Sequence, residues 1–131
     1  MGRRAFHFVR WLPALVWMGF IFYWSSQSVL PIDGYDYSTL LHRISHFGAY
    51  SILALLLVIG TGSSVRGLLA AFIIASLYGV TDEIHQSFVP GRSGRLEEVV
   101  LNTVSAAVAV VMVHVVILNR RRLPFGNLLP R

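Results

Sequence analysis

The chain is 131 residues long, 55% hydrophobic and only 13% charged, against about a quarter charged in a typical soluble domain. So little polar surface points to a membrane as the solvent of a chain about one domain in size. The absence of cysteine excludes disulfides and thiolate metal sites. The net charge of +5 does not indicate a nucleic acid partner: all eleven basic residues are arginines, clustered at the ends of apolar runs, where they suit topology signals and contact with anionic head groups.

Arg3, Arg4 and Arg10 precede the uncharged stretch Trp11–Leu30, WLPALVWMGFIFYWSSQSVL, which is long enough to cross a hydrocarbon core of about 30 Å. Arg3-Arg4 with Phe6 hints at a twin-arginine signal, but the apolar part is long and rich in tryptophan, and no A-x-A site follows. The stretch is therefore read as the first span and not as a cleaved signal. A polar connection with Pro31, Asp33, Gly34 and Asp36 leads to a second helix, which Ser38 or Thr39 could cap. Its span covers 42–60, and TGSSVRG forms a turn. The third span, 67–88, is apolar until it reaches DEIHQSF; after VPGRSGR a fourth, 98–118, stops at Arg120-Arg121-Arg122. Pro124, Gly126 and Pro130 argue against a further helix. The expected fold class is thus all-α: one membrane domain over 1–131, built as a four-transmembrane-helix bundle.

Arginine placement orients this bundle. Eight arginines (Arg3, Arg4, Arg10, Arg66, Arg120, Arg121, Arg122, Arg131) lie on the side of the termini and the second loop, and three (Arg43, Arg92, Arg95) on the other. The positive-inside rule then places both termini in the cytoplasm and Asp82–Asn102 toward the outer face.

The polar residues fall into helical stripes. Arg43, His46 and Tyr50 share a face of the second helix, with His42 one turn before His46. Asp82, Glu83, His85 and Gln86 occupy the last turns of the third, and Glu98, Asn102 and Ser105 line the fourth. A charge near a membrane helix centre costs about 2.5–3.5 kcal/mol, so three such stripes at one depth are expected to face one another. Asp82 and Glu83 each need a partner, for which Arg43, Arg92 and Arg95 are available. Adjacent carboxylates in a partly dry site can share a proton, which makes Glu83, Asp82 and His46 the candidate acid–base groups. The plain alternative is a structural polar network that closes one end of the bundle.

Other features carry less. His42, His46, Asp82, Glu83 and His85 offer nitrogen and oxygen ligands, but their spacing matches no metal motif and H-E-x-x-H is absent, so no metal is assigned. No cofactor can be read from the chain. His114 reads as an interior histidine. Trp11, Tyr23, Trp24, Tyr35 and Tyr37 read as interfacial anchors, while Ser25, Ser26 and Gln27 could either join the site or simply end the first helix. No serine stands in a G-x-S-x-G context.

The set R-x-x-H-x-x-x-Y (Arg43, His46, Tyr50), then D-E-x-x-Q-x-F-x-P-G-R (Asp82, Glu83, Gln86, Phe88, Pro90, Gly91, Arg92), then an acidic residue four before asparagine (Glu98, Asn102), resembles the VanZ-like family of small bacterial membrane proteins. The likeness covers roughly residues 20–110. It implies a multi-pass protein of the bacterial cytoplasmic membrane, in a family whose named member is associated with low-level resistance to the glycopeptide teicoplanin. Members usually carry lysine at Arg43, aspartate at Glu98, and glycines at Ser105 and Ala109; the charges are kept and the latter two residues are still small.

Together these readings lead to an outer-face site for an anionic, lipid-linked or cell-wall-related component of the envelope. Arg43 and Arg92 would hold its phosphate or carboxylate, Gln86, Asn102, Glu98 and Tyr50 would complete the site, and Glu83 with Asp82 or His46 would carry any proton transfer. Whether a reaction is catalysed is left open. The competing reading is a non-enzymatic membrane protein, structural or partner-binding. An ion pathway ranks last, because the far halves of helices two and three are almost purely apolar.

Overall fold

The computed structural model describes residues 8–28 and 37–122, which form four helices: α1 (Leu12–Ser25), α2 (Tyr37–Thr61), α3 (Val65–Gln86) and α4 (Leu96–Arg122). The connection at 29–36 and the tail beyond 122 lie outside the described residues, as do the side chains of 37–39 and 121–122. Ser38 and Thr39 fall within the first turn of α2, so whether either side chain caps it is likewise outside what is described.

α2, α3 and α4 are long and apolar enough to cross a membrane. α1 is shorter than the sequence suggests, at 14 residues. At its end the Ser26 backbone N–H donates to the Phe22 carbonyl at 3.0 Å, and side chains add to this: Ser26 Oγ donates to the Phe22 carbonyl at 2.7 Å and Gln27 Nε2 to the Tyr23 carbonyl at 3.1 Å. Pro13 sits in the first turn of α1, where its missing N–H costs nothing.

Each helix turns one stripe inward. On α2 this is His46, Tyr50, Leu53, Ala54 and Leu57, and on α4 it is Glu98, Asn102, Ser105, Ala106 and Ala109. α3 buries Gly67, Ala71, Ala75 and Gly79, spaced every fourth residue, and follows them with Asp82, Glu83 and Gln86. Large apolar residues on the outer faces, such as Leu15, Leu69, Leu77, Val111 and Met112, are more than half exposed, the arrangement expected of a bundle solvated by lipid. With no water to drive helices together, association relies on close approach of small residues. A Cβ on Gly79 would stand 3.1 Å from the Asn102 Cβ and 3.3 Å from the Tyr50 ring, so this glycine lets three helices meet. Ser105 and Ala109, small residues on α4, are both buried.

The turn between α2 and α3 follows from local chemistry. Gly62, at φ 90°, ends α2, and Ser64 caps α3 by accepting from the Gly67 N–H at 3.1 Å. At the same end Trp11 packs on Gly60, where a Cβ would come within 2.8 Å of the ring. The opposite end holds the end of α1, the start of α2, the end of α3 and the start of α4: Ser26 meets His85, and Arg43 meets Glu97. All the polar stripes gather there.

Candidate functional site

The order of the bundle places four polar segments at one end, and the α3–α4 connection closes it. Val89–Arg92 is a type II turn, with the Arg92 N–H donating to the Val89 carbonyl at 3.1 Å, Pro90 at the second position and Gly91 at φ 80°. Further on, a Cβ on Gly94 would collide with the Glu83 carbonyl oxygen. This close approach lets the Arg95 backbone N–H donate to Glu83 Oε2 at 3.1 Å.

At the centre lie His46, Tyr50, Asp82, Glu83, Gln86, Glu98 and Asn102, all buried. Asp82 Oδ2 accepts from the Tyr50 hydroxyl at 2.9 Å and from Gln86 Nε2 at 3.1 Å. Gln86 Nε2 also donates to Ser25 Oγ at 3.3 Å, and Gln86 Oε1 accepts from Arg92 at 3.0 Å. His46 Nδ1 is 3.2 Å from Asn102 Oδ1 and 3.9 Å from Glu83 Oε1. Asp82 Oδ1, Glu83 Oε1, Glu98 Oε2 and Asn102 Nδ2 are buried with no hydrogen-bond partner among the described residues.

The carboxylate partners differ from those expected. Among the described residues no guanidinium forms an ion pair with Asp82 or Glu83; a phenol, an amide and a backbone N–H take the place of arginine. Arg43 instead turns outward, 3.0 Å from exposed Glu97 and 3.9 Å from Glu98. Arg92 donates from Nη1 to Gln86 and from Nε to the Gln27 carbonyl at 3.1 Å, and also lines the adjacent cavity. Sequence spacing shows that Arg92 and Asp82 share an end of the bundle, but not which polar atoms lie between them.

α1 joins the site as well as ending there. Ser25 is buried and accepts from Gln86, Ser26 Oγ is 3.0 Å from His85 Nε2, and the Phe22 ring stacks on His85 with centroids 4.4 Å apart. Higher up, Trp17 Nε1 donates to the Ala49 carbonyl at 2.9 Å and the Tyr78 hydroxyl to the Met18 carbonyl at 2.6 Å, tying α1 to α2 and α3.

Beside this centre opens a cavity of about 760 Å³. Trp17, Phe20, Ile21 and Trp24 of α1 form an apolar wall; His42, His46, Asp82, Arg92, Arg95 and Glu98 line the polar part. Trp24, which reads from sequence as an interfacial anchor, is thus also a cavity wall. Arg43 belongs to a smaller hollow of about 240 Å³ with Glu97 and Glu98. Arg95 reads from sequence only as a partner for the carboxylates, and Gly79 and Gly94 carry no role there. Only the way these glycines interrupt a helical or polar run hints at the close contacts they permit.

Residues 8–118 match the family model described as VanZ/LLP1, and so most of the chain is covered. The chain belongs to this family. The VanZ/LLP1 match spans α1, α2, α3, α4 up to residue 118, and every residue of the polar centre. No curated protein and no solved structure matches the chain.

Proposed function

We propose that this VanZ/LLP1 protein binds an anionic, lipid-linked component of the bacterial envelope, in a membrane domain with both termini in the cytoplasm and the polar end at the outer face of the inner membrane. The observation that carries this reading is the cavity, whose tryptophan-rich wall suits an acyl or prenyl chain and whose far end offers Arg92 and Arg95 to a phosphate or carboxylate. Through that ligand, which could be a cell-wall precursor, the protein would bear on glycopeptide susceptibility, teicoplanin included, as family membership suggests. Arg43, which does not line this cavity, would act by holding α2 to α4. If a proton is transferred to or from the ligand, Asp82 and His46 are the groups placed to do it, since both line the cavity and Glu83 does not.

A second reading keeps the protein non-enzymatic and makes the polar centre structural. It is favoured by the chain of contacts Tyr50–Asp82–Gln86–Ser25, which links α1, α2 and α3.

Gly48 lines the cavity and has no atom within 4 Å of a would-be Cβ, so Gly48→Leu adds bulk to the cavity lining without replacing a polar residue. The test is mass spectrometry of lipids that co-purify with the wild type, Gly48→Leu, Arg92→Ala and Arg43→Ala. Binding in the cavity predicts an anionic lipid in the wild type and in Arg43→Ala that is depleted in the other two. The same lipid profile in all four would refute it.

A further inference from the structure

We propose that His46, Asp82 and Glu83 form a binding site for one divalent cation, of the class that zinc and manganese represent, at the floor of the cavity. Each of the three offers a ligand atom, and these atoms lie within 4.8 Å of one another. A point between three atoms so spaced is at most about 2.8 Å from each, so small side-chain shifts bring all three to the bond lengths of about 2.0–2.6 Å that such ions take.

The hydrogen bonds around the two carboxylates are what a metal centre needs, while His46 Nδ1 lies 3.2 Å from Asn102 Oδ1, which leaves Nε2 as its ligand atom when Nδ1 donates there. Each carboxylate has one oxygen held from outside: Asp82 Oδ2 by Tyr50 and Gln86, and Glu83 Oε2 by the Arg95 N–H. The other oxygen of each, Asp82 Oδ1 and Glu83 Oε1, is buried and accepts no hydrogen bond from a described residue. Outer donors that orient ligand carboxylates are the usual support of a metal site. The charge balance leads the same way. Two buried carboxylates with no guanidinium partner among the described residues are costly, and a divalent cation offsets both.

An imidazolium at His46, 3.9 Å from Glu83 Oε1, could serve as counter-ion instead, and the protein would then hold no metal. The set His42, His46 and Glu98 also clusters within 4.8 Å, but His42 is only partly buried, and Glu98 already has Arg43 nearby. The cation would also resolve a contradiction in the cavity, where Asp82 and Glu98 stand on the surface offered to an anion; that bridging role rests on the lipid-binding reading, whereas the metal site does not.

The full-length protein is purified in detergent, stripped with a chelator, dialysed against Zn²⁺ or Mn²⁺, and its bound metal counted by mass spectrometry. The wild type is expected to retain about one equivalent, and Asp82→Asn/Glu83→Gln to bind at least about tenfold more weakly. Tyr50→Phe, which loosens the support of Asp82, should weaken binding about 10–100-fold. Because the double variant could misfold, pulsed EPR of the Mn²⁺-loaded wild type provides a second test and should show ¹⁴N coupling from an imidazole. The proposal is overturned if the wild type retains neither ion, if its Mn²⁺ shows no nitrogen coupling, or if Glu98→Gln and His42→Gln abolish binding while the double variant keeps it. Metal is counted without added lipid, and the lipid test uses variants that leave these three ligands intact, so the two proposals can fail separately.

Discussion

The hydrogen bond from Tyr50 to Asp82 is the most direct test of whether the polar centre holds the helices together. Both residues are buried, at 0% and 3% exposure, and the bond joins α2 to α3 at 2.9 Å. Hydrogen bonds between membrane helices average about 0.6 kcal/mol and reach about 1.7 kcal/mol. Bonds to a charged group in soluble proteins contribute about 1.5–3 kcal/mol. The two ranges meet near 1.5 kcal/mol, which is the coupling expected from a double-mutant cycle of Tyr50→Phe and Asp82→Ala. The cycle is measured by reversible unfolding in mixed micelles with chelator present, so that no metal contributes. Tyr78→Phe serves as control, because the Tyr78 hydroxyl donates to the Met18 carbonyl instead; its coupling to Asp82 should stay below about 0.5 kcal/mol. A Tyr50–Asp82 coupling as small as the control's would refute the reasoning, since a charge-assisted bond in a dry site could not be so weak.

Two glycines of the α3–α4 connection should resist replacement for different reasons. Gly91→Ala places a side chain at φ 80° and should cost about 1–2 kcal/mol, while Gly94→Ala drives a Cβ into the Glu83 carbonyl and should cost about 1–3 kcal/mol. Gly19→Ala, with nothing within 4 Å, should stay within about 0.5 kcal/mol of wild type; thermal unfolding that ranks the three alike would contradict this. The orientation can be checked with single cysteines in whole cells. Ser93→Cys should react with an impermeant maleimide from outside and Ser64→Cys only after permeabilisation, and the reverse pattern would invert the topology inferred from the arginines.

Much of this arrangement is legible in the sequence because helical periodicity is strict. Glu98, Asn102 and Ser105 recur at a spacing that admits one face, and all three are buried; Asp82, Glu83 and Gln86 behave in the same way. What periodicity cannot convey is the choice of partner across helices. Asp82 finds Tyr50 and Gln86 rather than an arginine because Gly79 brings α2 and α4 close to α3 just above it, while Arg43 finds Glu97 outside the bundle. The length of α1 is hidden for a related reason: the uncharged stretch runs on to Leu30, but Ser26 and Gln27 turn back onto the carbonyls of Phe22 and Tyr23. The cavity wall is invisible because tryptophans at 17 and 24 have the same composition whether they face lipid or a ligand.

The brevity of α1 has a consequence for the surrounding bilayer. Fourteen residues span about 21 Å, well short of a hydrocarbon core of about 30 Å. A bilayer meets such a mismatch by thinning locally, and here the shortfall falls along one flank only, since α2, α3 and α4 are of full length. Thinning of that kind would draw head groups down beside the helix whose Trp17, Phe20, Ile21 and Trp24 line the cavity. An amphiphile in the leaflet would then arrive with its polar end already near the depth of Arg92, and could slide in sideways over a low sill instead of first leaving the membrane.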